Sequence, residues 1–250
     1  MPGELGRKPP DVGRHGRLSP DYAAAGAGLE PDQPQAIGAA GRLKADYQQA
    51  VAELVTNPAA LYRVVMDESF DGFGPGWLPD DPHAEIRRVE GGYRLLPLIG
   101  DHWLAIGAPV GSALRDVLVG ARFRKLGGPS GGTYGLLLRD RGPGPRDGRN
   151  QMGRYYVARV DDQGLVGIWR RDPDRWFELV AWHPCAAVRP GLATNEVSFE
   201  VVGGRLTLIV NGQTAASAND AVLDQGGVGL FVGGVRNAMM VERFVVHALD

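Results

Sequence analysis

Hydrophobic and polar residues alternate with a period of two along most of the chain from about residue 61 onward. The stretch 114–124 places Leu114, Val117, Val119, Ala121 and Phe123 mostly at alternate positions. This spacing is typical of half-buried β-strands. The alternating segments are short, and turn residues separate them, including Asn211–Gly212, which favours a type I′ hairpin. About a dozen such strands with almost no helical pattern predict an all-β sandwich or barrel.

The first 58 residues carry different patterns. Residues 1–39 are rich in proline and glycine and contain one aromatic residue, Tyr22, so they predict a disordered arm. Residues 40–58 predict an amphipathic helix, which ends at the Asn57–Pro58 pair. Its apolar stripe consists of Leu43, Tyr47, Val51 and Leu54. The helix either packs on the β-domain at 59–250 or docks on another chain, and the arm could become ordered on a partner.

Length and charge narrow the class of protein. A chain of 250 residues has room for one large β-domain or two small ones. The net charge is −2 and the pI is about 6.2, so the chain as a whole lacks the excess of positive charge that is typical of nucleic-acid-binding proteins. Cys185 is the single cysteine, which rules out an internal disulfide framework. No apolar run is long enough to span a bilayer, and no secretory signal is visible. We therefore expect a cytoplasmic protein, unless the sequence is a fragment.

Four segments carry a resemblance to a known superfamily. They read NEVSFEVVGGRLTLIVNGQTAASAND, TYGLLLRD, RYYVARVDDQGLVGIWRRDPDRWFELVAW and DESFDGFGPGW. Together they resemble the concanavalin A-like lectin/glucanase (laminin-G-like) superfamily, and in particular bacterial domains of the 3-keto-disaccharide hydrolase type. The resemblance covers roughly residues 64–249 and implies an antiparallel jelly-roll sandwich. It does not fix a function, because this fold hosts lectins, glycosidases, adhesion modules and structural proteins.

Glu196 and Glu200 are the candidate catalytic residues that the resemblance suggests. Glucanases of the superfamily place two glutamates in such a row on one strand, with an aspartate between them, and Ser198 occupies that middle position here. A retaining mechanism needs carboxyl groups about 5–5.5 Å apart. Residues i and i+4 of a straight strand have Cα atoms roughly 13 Å apart. In the alternative interpretation both glutamates face water, while residues 197, 199 and 201 face the core.

Five other residues are candidates for ligand binding. A sugar has apolar faces and polar edges, and tryptophan and tyrosine offer broad apolar contact together with a polar group. Arginine side chains add hydrogen-bond donors. The candidates lie on the predicted central strands, and they are Arg139, Tyr155, Arg159, Trp169 and Trp176. The alternative is that the tryptophans, with Trp182, fill the core or cover a sheet edge.

Calcium is the one metal that the sequence leaves open. Some relatives in the superfamily bind it through loop carboxylates, and several aspartates lie at predicted strand ends: Asp140, Asp147, Asp161, Asp162, Asp220 and Asp224. Turn chemistry alone also explains aspartates at such positions. No EF-hand run and no zinc-type spacing of histidines and cysteines occurs, so we predict no cofactor and assign no metal-binding residues.

These patterns favour a non-catalytic binding or interaction module with a glycan or a protein as its partner. It could be a component of a larger assembly. One alternative is a sugar-active enzyme of the glycoside hydrolase kind, with carboxylates on the concave sheet. The other is a structural subunit that its N-terminal arm anchors.

Overall fold

The computed structural model describes residues 62–71, 76–77, 84–99, 103–142 and 153–249. These residues form fourteen β-strands. In chain order they are β1 Tyr62–Glu68, β2 Ala84–Val89, β3 Gly92–Pro97, β4 Trp103–Gly107, β5 Val117–Gly127, β6 Thr133–Asp140, β7 Tyr155–Asp161, β8 Leu165–Asp172, β9 Arg175–Pro184, β10 Thr194–Val202, β11 Arg205–Val210, β12 Gln213–Asn219, β13 Gly227–Gly233 and β14 Ala238–Leu249.

The strands form two sheets that pack face to face. The eight-stranded sheet has the order β12-β11-β10-β5-β14-β3-β2, and β1 pairs with the second half of β14. The six-stranded sheet has the order β4-β13-β6-β7-β8-β9. Every pairing between described strands is antiparallel. The all-β sandwich predicted from two-residue alternation is therefore confirmed.

The main core lies between the two sheets and follows the alternation in the sequence. On β10 the side chains of Val197, Phe199 and Val201 are fully buried, whereas Glu196 is exposed. On β7 the core-facing residues are Tyr156, Ala158 and Val160, as the contacts of the main hydrophobic cluster show. Because side chains on a strand alternate between faces, the remaining residues of β7 must point away from the core.

Two asparagines support one end of the sandwich. Asn211 and Gly212 both have positive φ, 48° and 79°, as the predicted type I′ turn requires. Asn211 donates a 2.8 Å hydrogen bond to the side-chain oxygen of Asn195, which is 1% exposed. Asn195 in turn donates to the hydroxyl of Tyr134 on the opposite sheet at 3.0 Å. This polar network links the β11–β12 turn to the six-stranded sheet.

A buried ion pair links the sheets at another point. Lys125 on β5 pairs with Asp162, which follows β7, and both side chains are almost fully buried. The Lys125 ammonium also donates to the carbonyl of Pro129 at 2.6 Å, and Asp162 accepts from the amide of Gly131 at 2.7 Å. Buried charges of this kind are tolerated when pairing and hydrogen bonds satisfy them.

Two predictions lie outside the described residues, namely the arm at 1–39 and the amphipathic helix at 40–58. The jelly-roll connectivity also stays a prediction. No helix in the part of the chain that the structure describes is long and apolar enough to cross a membrane.

Candidate functional site

The outer faces of the two sheets differ sharply in chemistry. The outer face of the eight-stranded sheet carries charged residues in ion pairs, such as Arg124 with Glu242 at 2.6 Å and Arg243 with Asp67 at 2.7 Å. That is the ordinary arrangement for a sandwich, in which outward-facing residues are polar.

The outer face of the six-stranded sheet is apolar and aromatic instead. A second hydrophobic cluster lies there, separate from the core between the sheets. Its buried members are Ala105, Leu137, Tyr155, Val157, Trp169 and Phe231, and Trp103, Trp176 and Trp182 pack against them while staying partly exposed. The exposed part of this cluster therefore consists of the rings of Trp103, Trp176 and Trp182, and aromatic groups exposed together in this way are typical of interaction sites.

This face is concave. Trp103 comes from β4 and Trp176 from β9, the two edge strands of the sheet, yet their ring centroids are 5.2 Å apart. In a flat sheet five strand intervals of about 4.8 Å would separate these strands by about 24 Å. Two tryptophan side chains cannot span that distance, so the sheet must curve around the aromatic cluster.

Hydrogen bonds and ring contacts fix the aromatic side chains relative to one another. The indole nitrogen of Trp103 donates to the hydroxyl of Tyr155 at 2.8 Å, and the ring of Tyr155 lies 6.0 Å from that of Trp176. Trp169 and Trp182 form a second pair, with ring centroids 4.7 Å apart. The hydroxyl of Tyr155 is buried, and this burial raises its pKa well above the ordinary value, so the group stays a neutral phenol.

Glycines flank Arg159 on both neighbouring strands in the middle of the face. Arg159 on β7 lies opposite Gly135 on β6 and opposite Gly167 on β8. A Cβ atom on Gly167 would overlap the ring of Trp169, so only glycine lets that ring lie across its own strand. The guanidinium of Arg159 then stacks over Trp169, with its central carbon 3.9 Å from the ring centroid.

Aromatic rings surround the guanidinium of Arg159. Besides Trp169, it faces Trp182 at 5.1 Å, Trp176 at 5.4 Å and Phe231 at 5.5 Å, measured from the guanidinium carbon to each ring centroid. All four distances fall within the range of cation–π attraction. Burial lowers the pKa of Arg159 from 12.5 to about 10, and the nearby Tyr155 opposes this shift. The side chain is therefore a desolvated cation at neutral pH.

The structure brings together four of the five predicted ligand-binding residues. Tyr155, Arg159, Trp169 and Trp176 all lie on the aromatic face, and their role in binding stays a prediction. Trp169, Trp176 and Trp182 lie in this second cluster and not in the core between the sheets, and Trp176 and Trp182 come from the edge strand β9, so the alternative that they cover a sheet edge stays open.

Arg139 is placed elsewhere. Its φ of 52° breaks the alternation at the end of β6 and directs the side chain toward the eight-stranded sheet. There it is 2% exposed and donates to the carbonyls of Arg115 at 2.9 Å, Gly203 at 2.7 Å and Leu223 at 2.6 Å, and to Asp116 at 3.2 Å. The guanidinium of Arg139 is therefore fully engaged in hydrogen bonds that hold the two sheets together.

Sequence reasoning missed four residues of the face: Trp103, Arg171, Trp182 and Phe231. Arg171 alternates with Trp169 on β8, so strand period alone could have found it. Phe231 and Trp103 come from strands far away in sequence, and no local signal links them to β7. Trp182 reaches the face after the register shifts in the pairing of β8 with β9, which a simple period-two count does not anticipate.

Glu196 and Glu200 lie on the outer face of the eight-stranded sheet, opposite to the aromatic face. Their strand pairs with β5 without a register shift from Thr194 to Val201, so the two Cα atoms keep the spacing of roughly 13 Å of a regular strand. Glu196 lines a shallow cleft of about 410 Å³ with Ser198 and Arg122, and it lies 3.7 Å from the Arg122 guanidinium. The strand geometry supplies no bulge that would bring the two carboxyl groups together.

The aspartates considered as calcium ligands have other partners. Asp161 accepts from the backbone amides of Gln163 and Leu165, and Asp220 pairs with Arg170 and with the hydroxyl of Tyr156. Asp224 pairs with Arg141. Asp162 is the partner of Lys125, Asp140 accepts from the amide of Gly142, and Asp147 lies outside the described residues. Among the residues that the structure describes, no cluster of three or more histidine, cysteine, aspartate or glutamate side chains could hold a metal ion.

Comparison with solved structures identifies the fold. A Bacillus subtilis protein of unknown function with a galectin-like fold superposes with a TM-score of 0.58 at 11% identity, over 76% of this chain and 100% of that one. A Bacillus licheniformis β-glucanase superposes with a TM-score of 0.52 at 12% identity, over 74% of this chain and 98% of that one. The chain thus has the β-sandwich fold of galectin-like and concanavalin A-like proteins, as the sequence resemblance implied.

A third structure, the carbohydrate-binding module CBM66 from Bacillus subtilis, gives a TM-score of 0.44 at 16% identity, over 73% of this chain and 94% of that one. No protein-family model and no curated protein sequence matches the chain. Similarity at these identities defines the fold alone, so the function must be argued from the site.

Proposed function

We propose that the β-sandwich is a glycan-binding module whose site is the concave aromatic face of the six-stranded sheet. One observation carries this proposal: four of the five tryptophans in the chain converge on a surface that in an ordinary sandwich would be polar. The fifth, Trp77, belongs to the core between the sheets.

The chemistry of the face suits a saccharide. Tryptophan and tyrosine rings offer flat apolar surfaces for the apolar faces of sugar rings. Arg159 and Arg171 supply hydrogen-bond donors beside those rings, and the guanidinium of Arg171 lies 5.5 Å from Trp103 and 5.2 Å from Trp176. A concave, mostly apolar surface with a few convergent polar groups is typical of small-ligand sites. Protein interfaces are usually broader and flatter, so a glycan is favoured over a protein partner.

The fold itself does not separate a binding module from an enzyme, because both occur among proteins of this architecture. The position of the candidate carboxylates favours binding. Glu196 and Glu200 lie on the other sheet, and their strand keeps its regular spacing. A subunit role anchored by the N-terminal arm rests on residues outside the described ranges.

A binding experiment on the full 250-residue chain tests this proposal. A glycan array would first select ligands, and titration of intrinsic tryptophan fluorescence would then measure affinity. We expect Trp176→Ala and Trp182→Ala each to weaken binding about tenfold or more, since truncating a central aromatic contact commonly costs more than 1 kcal/mol.

The matched control is the double variant Glu196→Gln/Glu200→Gln, which changes the opposite face of the sandwich. It should bind as the parent does and keep the same circular-dichroism spectrum. The proposal would be contradicted if no glycan on the array bound the protein, or if the tryptophan variants bound as tightly as the parent. Glycan hydrolysis that the double variant abolishes would favour the enzyme instead.

A further inference from the structure

Arg159 is a cation without an anionic partner among the described residues. Its Nε is buried and has no hydrogen-bond partner, and the groups that face its guanidinium are aromatic rings. Three strongly buried cations in the described ranges do have carboxylate partners: Lys125 pairs with Asp162, Arg139 with Asp116, and Arg170 with Asp220. Buried charges are normally paired, so an unpaired one at a candidate binding site calls for a functional explanation.

Neighbouring carboxylates do not neutralise this charge. Asp161 is two residues away on the same strand, but its carboxylate caps the following turn through the amides of Gln163 and Leu165. Glu178 lies opposite Trp169 on β9, and it is exposed at the surface. A second cation, Arg171, adds positive charge to the same face while it donates to the carbonyl of Pro173 at 2.7 Å.

The aromatic rings position the guanidinium for contact with an oxyanion. The guanidinium carbon lies 3.9 Å from the ring centroid of Trp169, and the residues directly opposite Arg159 on both neighbouring strands are glycines, which place no side chain beside it. A guanidinium presents parallel N–H groups that match two oxygens of a carboxylate or of a sulfate group. Desolvation by the surrounding rings strengthens such a charge-assisted bond.

We infer that the glycan of the proposed site is acidic, and that Arg159 binds its carboxylate or sulfate group while the tryptophans contact the sugar rings. This inference rests on the proposed function and adds to it the chemical class of the ligand. A neutral saccharide could use the aromatic surface but would leave the cation unpaired, so the site should discriminate strongly between charged and neutral forms of one sugar.

The experiment uses pairs of probes that share one saccharide backbone and differ in its acidic groups, titrated against the full chain by tryptophan fluorescence and by calorimetry. Trigalacturonic acid is compared with its trimethyl ester, and a chondroitin 4-sulfate tetrasaccharide with its desulfated form, so the two pairs separate carboxylate from sulfate recognition. We expect at least one acidic probe to bind more than tenfold tighter than its less charged partner. In Arg159→Met this preference should fall to less than about twofold.

The control variant is Arg122→Met, which removes the same charge from an exposed position on the opposite sheet. It should keep the preference, which would exclude a general effect of net charge. Equal binding of both members of each pair, or a preference that survives in Arg159→Met, would overturn the inference and leave the proposed function intact. If only neutral glycans bind, the inference fails alone. If no glycan binds at all, both proposals fail.

Discussion

Replacing Arg159 by methionine should stabilise the domain while removing the charge that we assign to ligand binding. The guanidinium is desolvated against four aromatic rings and has no anionic partner among the described residues. Methionine is unbranched and apolar, it matches the stem of arginine as far as Nε, and its sulfur makes favourable contacts with aromatic rings. The substitution therefore removes the buried charge and keeps an apolar side chain against the rings.

The size of the effect follows from the pKa of Arg159. Burial lowers this pKa from 12.5 to about 10, which corresponds to about 3 kcal/mol against the charged form in the folded state. Loss of the cation–π contacts offsets roughly 1–2 kcal/mol of that gain. We therefore expect the free energy of unfolding of Arg159→Met to exceed that of the parent by about 1–2 kcal/mol. In a domain of this size that raises the Tm by about 2–8 °C.

The same pKa shift of Arg159 determines how the stability difference between Arg159→Met and the parent depends on pH. Between pH 10 and 12.5 the unfolded state holds the proton of this side chain and the folded state loses it, so the stability of the parent rises with pH there. Below pH 10 both states are protonated, and the destabilisation by the charge is present in full. The advantage of the variant should therefore be constant from pH 6 to 9 and should shrink above pH 10.

Urea denaturation followed by circular dichroism at pH 6, 7.5 and 9 would measure this difference. The m-value should stay unchanged, because the surface exposed on unfolding hardly changes. Arg122→Met is the control, and its stability should stay within about 0.5 kcal/mol of the parent. If Arg159→Met were less stable than the parent, the guanidinium would be a structural support of the face, and the reasoning from an unsatisfied charge would be refuted.

Two further substitutions test other parts of the structure. Arg139→Met should lower the free energy of unfolding by about 3–5 kcal/mol, since it leaves Asp116 and three carbonyl groups without their buried donor. Urea denaturation would measure this difference. A loss below about 1 kcal/mol would show that the Arg139 side chain does not hold the sheets together. Gly167→Ala should displace the ring of Trp169, shift the tryptophan emission and weaken glycan binding about tenfold, or about 1.4 kcal/mol. Gly111→Ala, where an added Cβ meets nothing within 4 Å, is its control, and equal emission and affinity in both variants would contradict the packing argument.

Local pattern was enough to predict the sandwich and part of the candidate site. Alternation along β10 assigned Val197 and Phe199 to the core, and the Asn211–Gly212 pair marked a hairpin whose φ angles the structure shows. On β7 the same alternation puts Tyr155 and Arg159 on one face, away from the core. These features depend on neighbours in sequence, which is why they could be read from the chain itself.

Long-range geometry decided the rest. The backbone at Arg139 takes a positive φ, and this one dihedral turns a predicted binding residue into a link between the sheets. Curvature of the six-stranded sheet brings Trp103 and Trp176, which lie on its two opposite edge strands, into contact. Register shifts in the pairing of β8 with β9 turn Trp182 to the same face.

The sequence by itself therefore determined which residues face the core and which face outward wherever a strand keeps its regular geometry, because such a strand repeats every two residues. Only the tertiary structure decided that one outward face is aromatic and concave and that Arg159 on it has no anionic partner among the described residues. Those properties depend on how six strands, distant in sequence, pair and curve together, and no period within a single strand encodes that arrangement.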